Sequence, residues 1–394
     1  TVDHVMDNFT LRPVGMMAAR TPSTSDTHGG KIEAQLSFGA TRATVGVDLQ
    51  SNDRDATLYS GMPAMQAQVL AANPAFARFF MWPDVTTRQT GLYAETETDL
   101  GGQTRLNLGA RYDRVRASAG KAAQVPGGSA MAPNDLYTTY YGTTFDRART
   151  EDNVGGLARL DWEVSPDTTL YVGASRSVRT ADAVERAMAK GNWVGNPDIA
   201  PEKHHQLDVG VEAGGAGWQV TASAYVDHVD DYILRDAFTV PGVTTYRNVS
   251  ARLRGVELSG SRAFGPWELS GDATWTYGQN RSDGRPLAQI PPLQGKLALA
   301  YRATGWGVGA RLNWATKQTR IDPARDPAAT PGYATLDLFG DYELTERAVL
   351  VAGVTNLTDR TYASHLSRSN LADPTMVQVN EPGRSVYLRL EARF

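Results

Sequence analysis

From Val386 to Phe394 apolar and polar residues alternate without a break. The even positions hold Val, Leu, Leu, Ala and Phe, and the odd ones Tyr, Arg, Glu and Arg. Successive side chains on a strand point to opposite faces, so one face of this segment is greasy and the other charged. The period recurs along the chain. Leu106, Leu108, Ala110 and Tyr112 oppose Arg105, Asn107, Arg111 and Asp113, and Ala158, Leu160, Trp162 and Val164 oppose Arg159, Asp161 and Glu163. The same holds for Leu207, Val209 and Val211 against Asp208 and Glu212, for Trp306 to Trp314, and for Leu336 to Tyr342. Each run matches the ~9–11 residues a tilted strand needs to cross a bilayer. About sixteen such strands are predicted, the pattern of an all-β, antiparallel transmembrane β-barrel with lipid outside and a polar lumen inside.

The connections have their own rhythm. Short turns fall at Gly39-Ala40-Thr41, Gly101-Gly102-Gln103, Ser165-Pro166-Asp167, Gly214-Gly215-Ala216, Phe264-Gly265-Pro266, Thr304-Gly305 and Thr345-Glu346-Arg347. Between them lie long polar segments at 12–30, 52–87, 116–152, 178–203, 236–244, 280–293, 316–332 and 359–383. Outer-membrane barrels alternate in this way, with tight periplasmic turns and long extracellular loops. The first strand, Val2 to Leu11, is then predicted to run outward and the last to end at the periplasmic side.

Composition narrows the class further. The chain has 394 residues and a formal net charge of −4, so charge gives no argument for a nucleic-acid partner. No stretch reaches the ~20 apolar residues of a membrane helix, which a barrel does not need. Thirty-eight Gly, 16 Tyr and 8 Trp suit tight curvature and interfacial anchoring. Cysteine is absent, which rules out disulfides and thiolate metal sites. The chain opens on strand-like Thr1-Val2-Asp3 with no signal peptide, although a barrel must be exported. Residues 1–394 are therefore expected to be the C-terminal portion of a longer barrel chain.

Several segments resemble the TonB-dependent outer-membrane receptors. Gly195-Asn196-Pro197-Asp198-Ile199-Ala200-Pro201-Glu202-Lys203 is similar to their Asn-Pro-x-Leu-x-Pro-Glu stretch, and Arg254-Gly255-Val256-Glu257-Leu258 to their Gly-x-Glu strand. Asn356-Leu357-Thr358-Asp359-Arg360-Thr361-Tyr362 matches their Asn-Leu-x-Asp-x-x-Tyr element, and Pro382-Gly383-Arg384 with a final Phe matches their C-terminus. The opening Val2-Asp3-His4-Val5-Met6-Asp7-Asn8-Phe9 is similar to the OprC/NosA-type copper receptors. The resemblance implies a 22-stranded wall in the bacterial outer membrane, of which sixteen strands are visible. It also implies an N-terminal plug and first strands upstream of Thr1, a periplasmic TonB partner, a monomer, and copper as the transported ligand. In those receptors a His-x-Met pair on the barrel joins a Cys-x-x-x-Met pair on the plug. His4 and Met6 fall on the first half of that site, and the second half is not in this chain.

His4 and Met6 are two apart on one strand and share a face. Imidazole and thioether suit copper, the thioether favouring Cu(I). A His-x-Met pair in an arbitrary strand is usually two ordinary side chains, and the resemblance singles this one out. Asp3 and Asp7 fall on the opposite face with Val5 and Phe9, an awkward place for charge that is tolerable if the stretch lies at or beyond an interface. The other methionines, Met16, Met17, Met62, Met65, Met81, Met131, Met188 and Met376, are all predicted in external loops. Met62 and Met65 are the candidates for a secondary copper site, against loop packing as the plain alternative. His28 and His365 are expected exposed in external loops, and His204 and His205 at a solvated strand start. His228 with Asp227, Asp230 and Asp231 is a possible cation cluster.

A siderophore or other metal-chelate receptor is the competing substrate class, with Phe79, Phe80, Trp82, Tyr137, Tyr140 and Tyr141 as its aromatic candidates. A barrel hydrolase using Ser364, His365, Ser367 and Asp373 is disfavoured, because adjacent Ser and His on one loop rarely reach nucleophile–base geometry. No enzymatic activity and no organic cofactor are expected.

Overall fold

The computed structural model describes residues 1–10, 18–326, 328–367 and 378–393. Sixteen strands of eight residues or more form one antiparallel meander. They are β1 (Val2–Thr10), β2 (Ala18–Phe38), β3 (Thr41–Gly61), β4 (Ala77–Gly101), β5 (Thr104–Ala119), β6 (Arg149–Ser165), β7 (Thr168–Arg179) and β8 (Glu202–Gly215). They continue as β9 (Trp218–Asp236), β10 (Thr245–Phe264), β11 (Trp267–Asn280), β12 (Gln294–Ala303), β13 (Trp306–Ala315), β14 (Tyr333–Thr345), β15 (Ala348–Thr355) and β16 (Ser385–Ala392). Each pairs with its neighbours in sequence. Among the described residues β1 is paired only along β2, and β16 only along β15. No described helix is long and apolar enough to cross a membrane.

All seven short turns stand where the sequence places them. Gly39, Gly101, Gly102, Gly265 and Gly305 adopt positive φ there, which glycine reaches at no steric cost.

The long connections are shorter than expected. β2 begins at Ala18 and β3 runs to Gly61, so much of 12–30 and 52–61 is strand, and β4 begins at Ala77. His28 and Met81 therefore sit in strands rather than loops. Polar sequence was read as loop, yet a ladder needs only backbone partners, and outside the membrane both faces can be polar. The 25 residues of β4 exceed by more than twofold the ~10 needed to span, so the excess projects outward. Leu11, Met16, Met17, Asp373, Met376 and Phe394 lie outside the described residues.

The predicted lipid face is the exposed apolar face. Across one ladder row Ile32, Val47, Leu92, Tyr112 and Val154 stand side by side. Val386, Leu388 and Leu390 continue that outward face on β16, with Leu388 71% exposed. An apolar residue left bare in water would be anomalous, whereas in lipid it is solvated. Near the short turns the face becomes aromatic, and Trp267, Tyr301 and Trp306 touch with centroids 5.0 and 5.5 Å apart. Such aromatics anchor a barrel at the headgroup level.

The inward face is ionic. Arg111 bridges Asp48 at 2.7 Å and Asp113 at 2.6 Å, and Tyr93 donates to Glu33 at 2.9 Å. Arg311 meets Asp337 at 3.1 Å. Beyond the membrane, α1 (Gln66–Leu70), α2 (Pro133–Tyr141), α3 (Ala183–Ala187) and a two-residue hairpin at 189–190 and 193–194 build an external cap. Its core gathers Val85, Ala117, Leu136, Tyr137, Phe145, Ala187 and Val194.

Candidate functional site

His4 stands opposite Ser25 and Met6 opposite Ser23, and the ladder carries these rows on to Arg54 and Ala56. They share the face of Lys31, Glu33 and Asp48, so His4 and Met6 face the wet interior. Both side chains are exposed, Met6 by 41%. Among the described residues the His4 ring makes no hydrogen bond or ion pair. Two soft or borderline donors thus stand two rows apart on one strand, and no described residue saturates them. On the opposite face Arg20 reaches Asp7 at 2.6 Å and also binds the Leu70 carbonyl of the cap. Asp7 is therefore outside the bilayer, which answers the awkward charge on that face.

Met62 and Met65 are not brought to this pair. Met62 lies six residues beyond Ala56, the β3 member of the Met6 row, or about 20 Å at ~3.3 Å per residue. A Cβ on Gly61 would meet Val69 and Phe76 at 3.0 Å, so the segment after Gly61 folds over the outward face instead. Both methionines are exposed, at 63% and 42%. Met131 is in a loop, and Met188 is buried in the cap.

The histidine expectations change most. His204 is half-buried rather than solvated. Its Nδ1 lies 2.7 Å from Asp227 and its Nε2 3.3 Å from Glu202. The Asp227 bond, then the Glu202 bond, outweigh burial and raise its pKa to about 9. Glu202 also accepts from Arg179 at 2.7 Å and from the Ile233 N–H at 2.7 Å. Burial would push Glu202 up, but these bonds bring it down to about 2. The cluster around His228 is split by strand alternation. Asp227 turns inward to His204, while Asp230 lies outward, 3.2 Å from His228 and 3.6 Å from His205. Asp231 pairs with Lys203. Among the described residues no three His, Asp or Glu side chains converge to hold a metal ion.

Glu202 opens onto an external cleft of about 440 Å³ lined by Arg179, Glu185, Trp193, Tyr232, Arg235 and Tyr246. Sequence reasoning missed this cleft, although its signal lay in the Asn196 to Glu202 motif. Asn196 binds the Tyr246 carbonyl at 3.3 Å, and Arg186 binds the Pro197 carbonyl at 3.0 Å. The motif therefore fixes the loop so that Glu202 meets Arg179. The aromatic candidates for a chelate do not line the cleft. Tyr137 is fully buried with its hydroxyl on the Ala187 carbonyl at 2.7 Å, and Tyr141 bonds the Val194 carbonyl at 2.8 Å. Phe79 and Trp82 pack on the same core. His365 is buried, not exposed, and its Nδ1 meets Thr330 at 2.8 Å rather than a neighbouring serine.

An outward apolar band, an aromatic belt, a charged bore and long external extensions together define an outer-membrane β-barrel, and such a chain lies in the bacterial outer membrane. Residues 3–357 match the model of the TonB-dependent receptor-like β-barrel, and the chain belongs to that family. That family is one of receptor barrels. It is 28% identical over 262 residues to an iron-regulated outer membrane virulence protein of Vibrio cholerae, a match covering 59% of this chain and 38% of that protein. Among solved structures it is similar to the copper transporter OprC, with a TM-score of 0.83, 28% identity, and coverage of 100% of this chain and 61% of that one. The ferric yersiniabactin uptake receptor FyuA of Yersinia pestis shares the fold, with a TM-score of 0.74, 16% identity, and coverage of 100% and 57%. The chain thus spans less than two thirds of the length of these relatives.

Proposed function

We propose that this chain is the wall of a TonB-dependent receptor that captures copper ions outside the cell and passes them to the periplasm. The observation that carries the reading is the His4–Met6 pair, turned to the wet face and without a hydrogen-bond or ion-pair partner among the described residues. The likeness to OprC across the full chain accords with copper. Imidazole plus thioether is a donor set for a soft cation, and a ferric chelate, its iron already saturated by hard oxygens, would gain nothing from it. In this reading His4 and Met6 form the wall half of the site. A plug upstream supplies the remaining ligands and couples to TonB, and the full wall has 22 strands. Met62 and Met65, exposed on the cap, act at most as a separate outer capture point.

The test is copper titration calorimetry on the full-length receptor. His4→Ala with Met6→Ala removes two donors and is expected to weaken copper binding by a hundredfold or so, using 10–100-fold as the scale for a perturbed metal shell. Met62→Ala with Met65→Ala should leave that affinity in place. Unchanged affinity in the His4/Met6 variant takes the pair out of the site. Tight binding of a ferric chelate with no binding of the bare ion moves the receptor to the chelate class.

A further inference from the structure

The outward face carries a second pattern, just beyond the apolar band on the external side. Arg88 and Arg116 are direct ladder partners on neighbouring strands of that face. Both are exposed, and among the described residues no carboxylate or hydrogen-bond acceptor reaches either of them. Arg114, two residues below Arg116 on the same face, lies beside Tyr112, whose hydroxyl donates to Asp152 at 2.6 Å. Like charges placed directly opposite destabilise a sheet, because their Cβ atoms are only ~4.5–5.5 Å apart. Two acids stand on this face beside the three arginines, and both are engaged, Asp152 by the Tyr112 hydroxyl and Asp53 by the hydroxyls of Ser51 and Thr86. Immediately toward the membrane stand Leu49 and Leu92, 57% and 54% exposed.

A second row repeats the arrangement across four strands. Arg176, His205, His228 and Arg252 are successive ladder partners on the outward face. The rows below them hold Ala174, Leu207 and Val226, with Leu207 63% exposed. The lone acid at this row, Asp230, is shared by the two histidines. Flanking arginines make the row unsuited to a metal cation and suited to an anion.

We propose that these outward arginines form a seat for the phosphate groups of the phosphorylated glycolipid in the outer leaflet, with Arg88 and Arg116 as its principal grip. Charge complementarity and height select the occupant. The arginines stand on the lipid-facing side at the level where the apolar band ends, which is where acyl chains give way to headgroups. A guanidinium pair so spaced offers forked donors to one phosphate, which removes the repulsion between Arg88 and Arg116. A soluble protein partner would instead need apolar surface above the band, and that surface is charged. The seat is independent of what the bore transports.

Native mass spectrometry of the folded full-length receptor in mild detergent tests it. The probes are diphosphorylated lipid A, a zwitterionic phospholipid and inorganic phosphate alone. Wild type is expected to retain lipid A, and R88Q/R116Q to lose roughly thirtyfold in affinity, at about one anionic-surface contact per arginine. R88K/R116K should keep most of it. R262Q, an outward arginine beside the opposite, short-turn rim, should keep all of it. The heat-dependent mobility shift reports folding of each variant, and R176Q/R252Q stands in, with a smaller expected loss, if R88Q/R116Q does not fold. Undiminished lipid A binding in a folded glutamine variant overturns the proposal. So does displacement by inorganic phosphate alone, which marks a free-anion site, or equal binding of the zwitterionic lipid.

Discussion

At the scale of single residues, His204 shows how burial and pairing set charge. Both ring nitrogens face carboxylates, so the imidazolium is the favoured form and its pKa stands near 9 against an ordinary value near 6.5. A group whose pKa is raised by folding adds stability that is full below its unfolded value and is lost as pH rises through the folded one. The contribution here is full below about pH 6.5 and gone above about pH 9. Its side chain is 27% exposed, so after screening the effect is ~1–2 kcal/mol rather than the larger figure the shift alone gives. Glu202 works in the other direction, with stability present above its ordinary range and lost only as pH falls toward 2. The groups facing this pair are Arg179, Glu185 and Asp227. Limited proteolysis within residues 180–201 should therefore quicken severalfold between pH 6 and pH 10, and His204→Gln should flatten that dependence. A cleavage rate that does not change with pH in the wild type would dismiss the clamp. Strand alternation puts Glu202 and His204 on one face, but Asp227 comes from the adjacent strand and the Ile233 N–H that holds Glu202 follows a register shift between Val229 and Tyr232, and no local pattern announces either.

At the scale of elements, the strands and their short turns were legible because lipid imposes period two and tight turns leave glycine and proline marks. The external ends were not, since without lipid the alternation stops while the ladder continues. What the pattern also left unspoken is why glycine recurs on the inward face. Gly255 is the ladder partner of Tyr225, and a Cβ there would lie 2.4 Å from that ring. Gly210 is covered in the same way by Tyr171, and Gly46 by Tyr93. Each ring lies across the bare backbone of the next strand, shielding its hydrogen bonds and fixing register. Gly255→Val must displace the ring, at a cost of ~1–3 kcal/mol for overpacking. The urea midpoint for refolding into lipid vesicles should fall accordingly, and Tyr225→Ala in the same chain should recover part of the loss. If Gly255→Val alone refolds with an unchanged midpoint, the ring has no fixed seat.

For the whole molecule, the decisive feature is the pair of free edges. Among the described residues β1 has a partner only in β2 and β16 only in β15, so one backbone edge of each carries no ladder there. Unpaired N–H and C=O groups cannot face hydrocarbon, where each costs several kcal/mol. In a membrane the two edges must meet each other or be joined by further strands. Under the function proposed above, further strands lie between the edges. Residues 1–394 hold no cysteine, so a pair introduced on these strands meets no competing thiol within them. Val5 on β1 and Leu388 on β16 both stand on the outward face. Neighbouring edges would bring residues of this kind within disulfide reach, at Cβ separations of ~3.5–4.5 Å. Pairs scanned from Asp3 or Val5 to Val386, Leu388 or Leu390, in receptor folded in native outer membranes, are expected to stay uncrosslinked under oxidation. A near-quantitative disulfide at any of these pairs would mean that sixteen strands close on themselves, and the larger wall, with the plug it would house, would have to be abandoned.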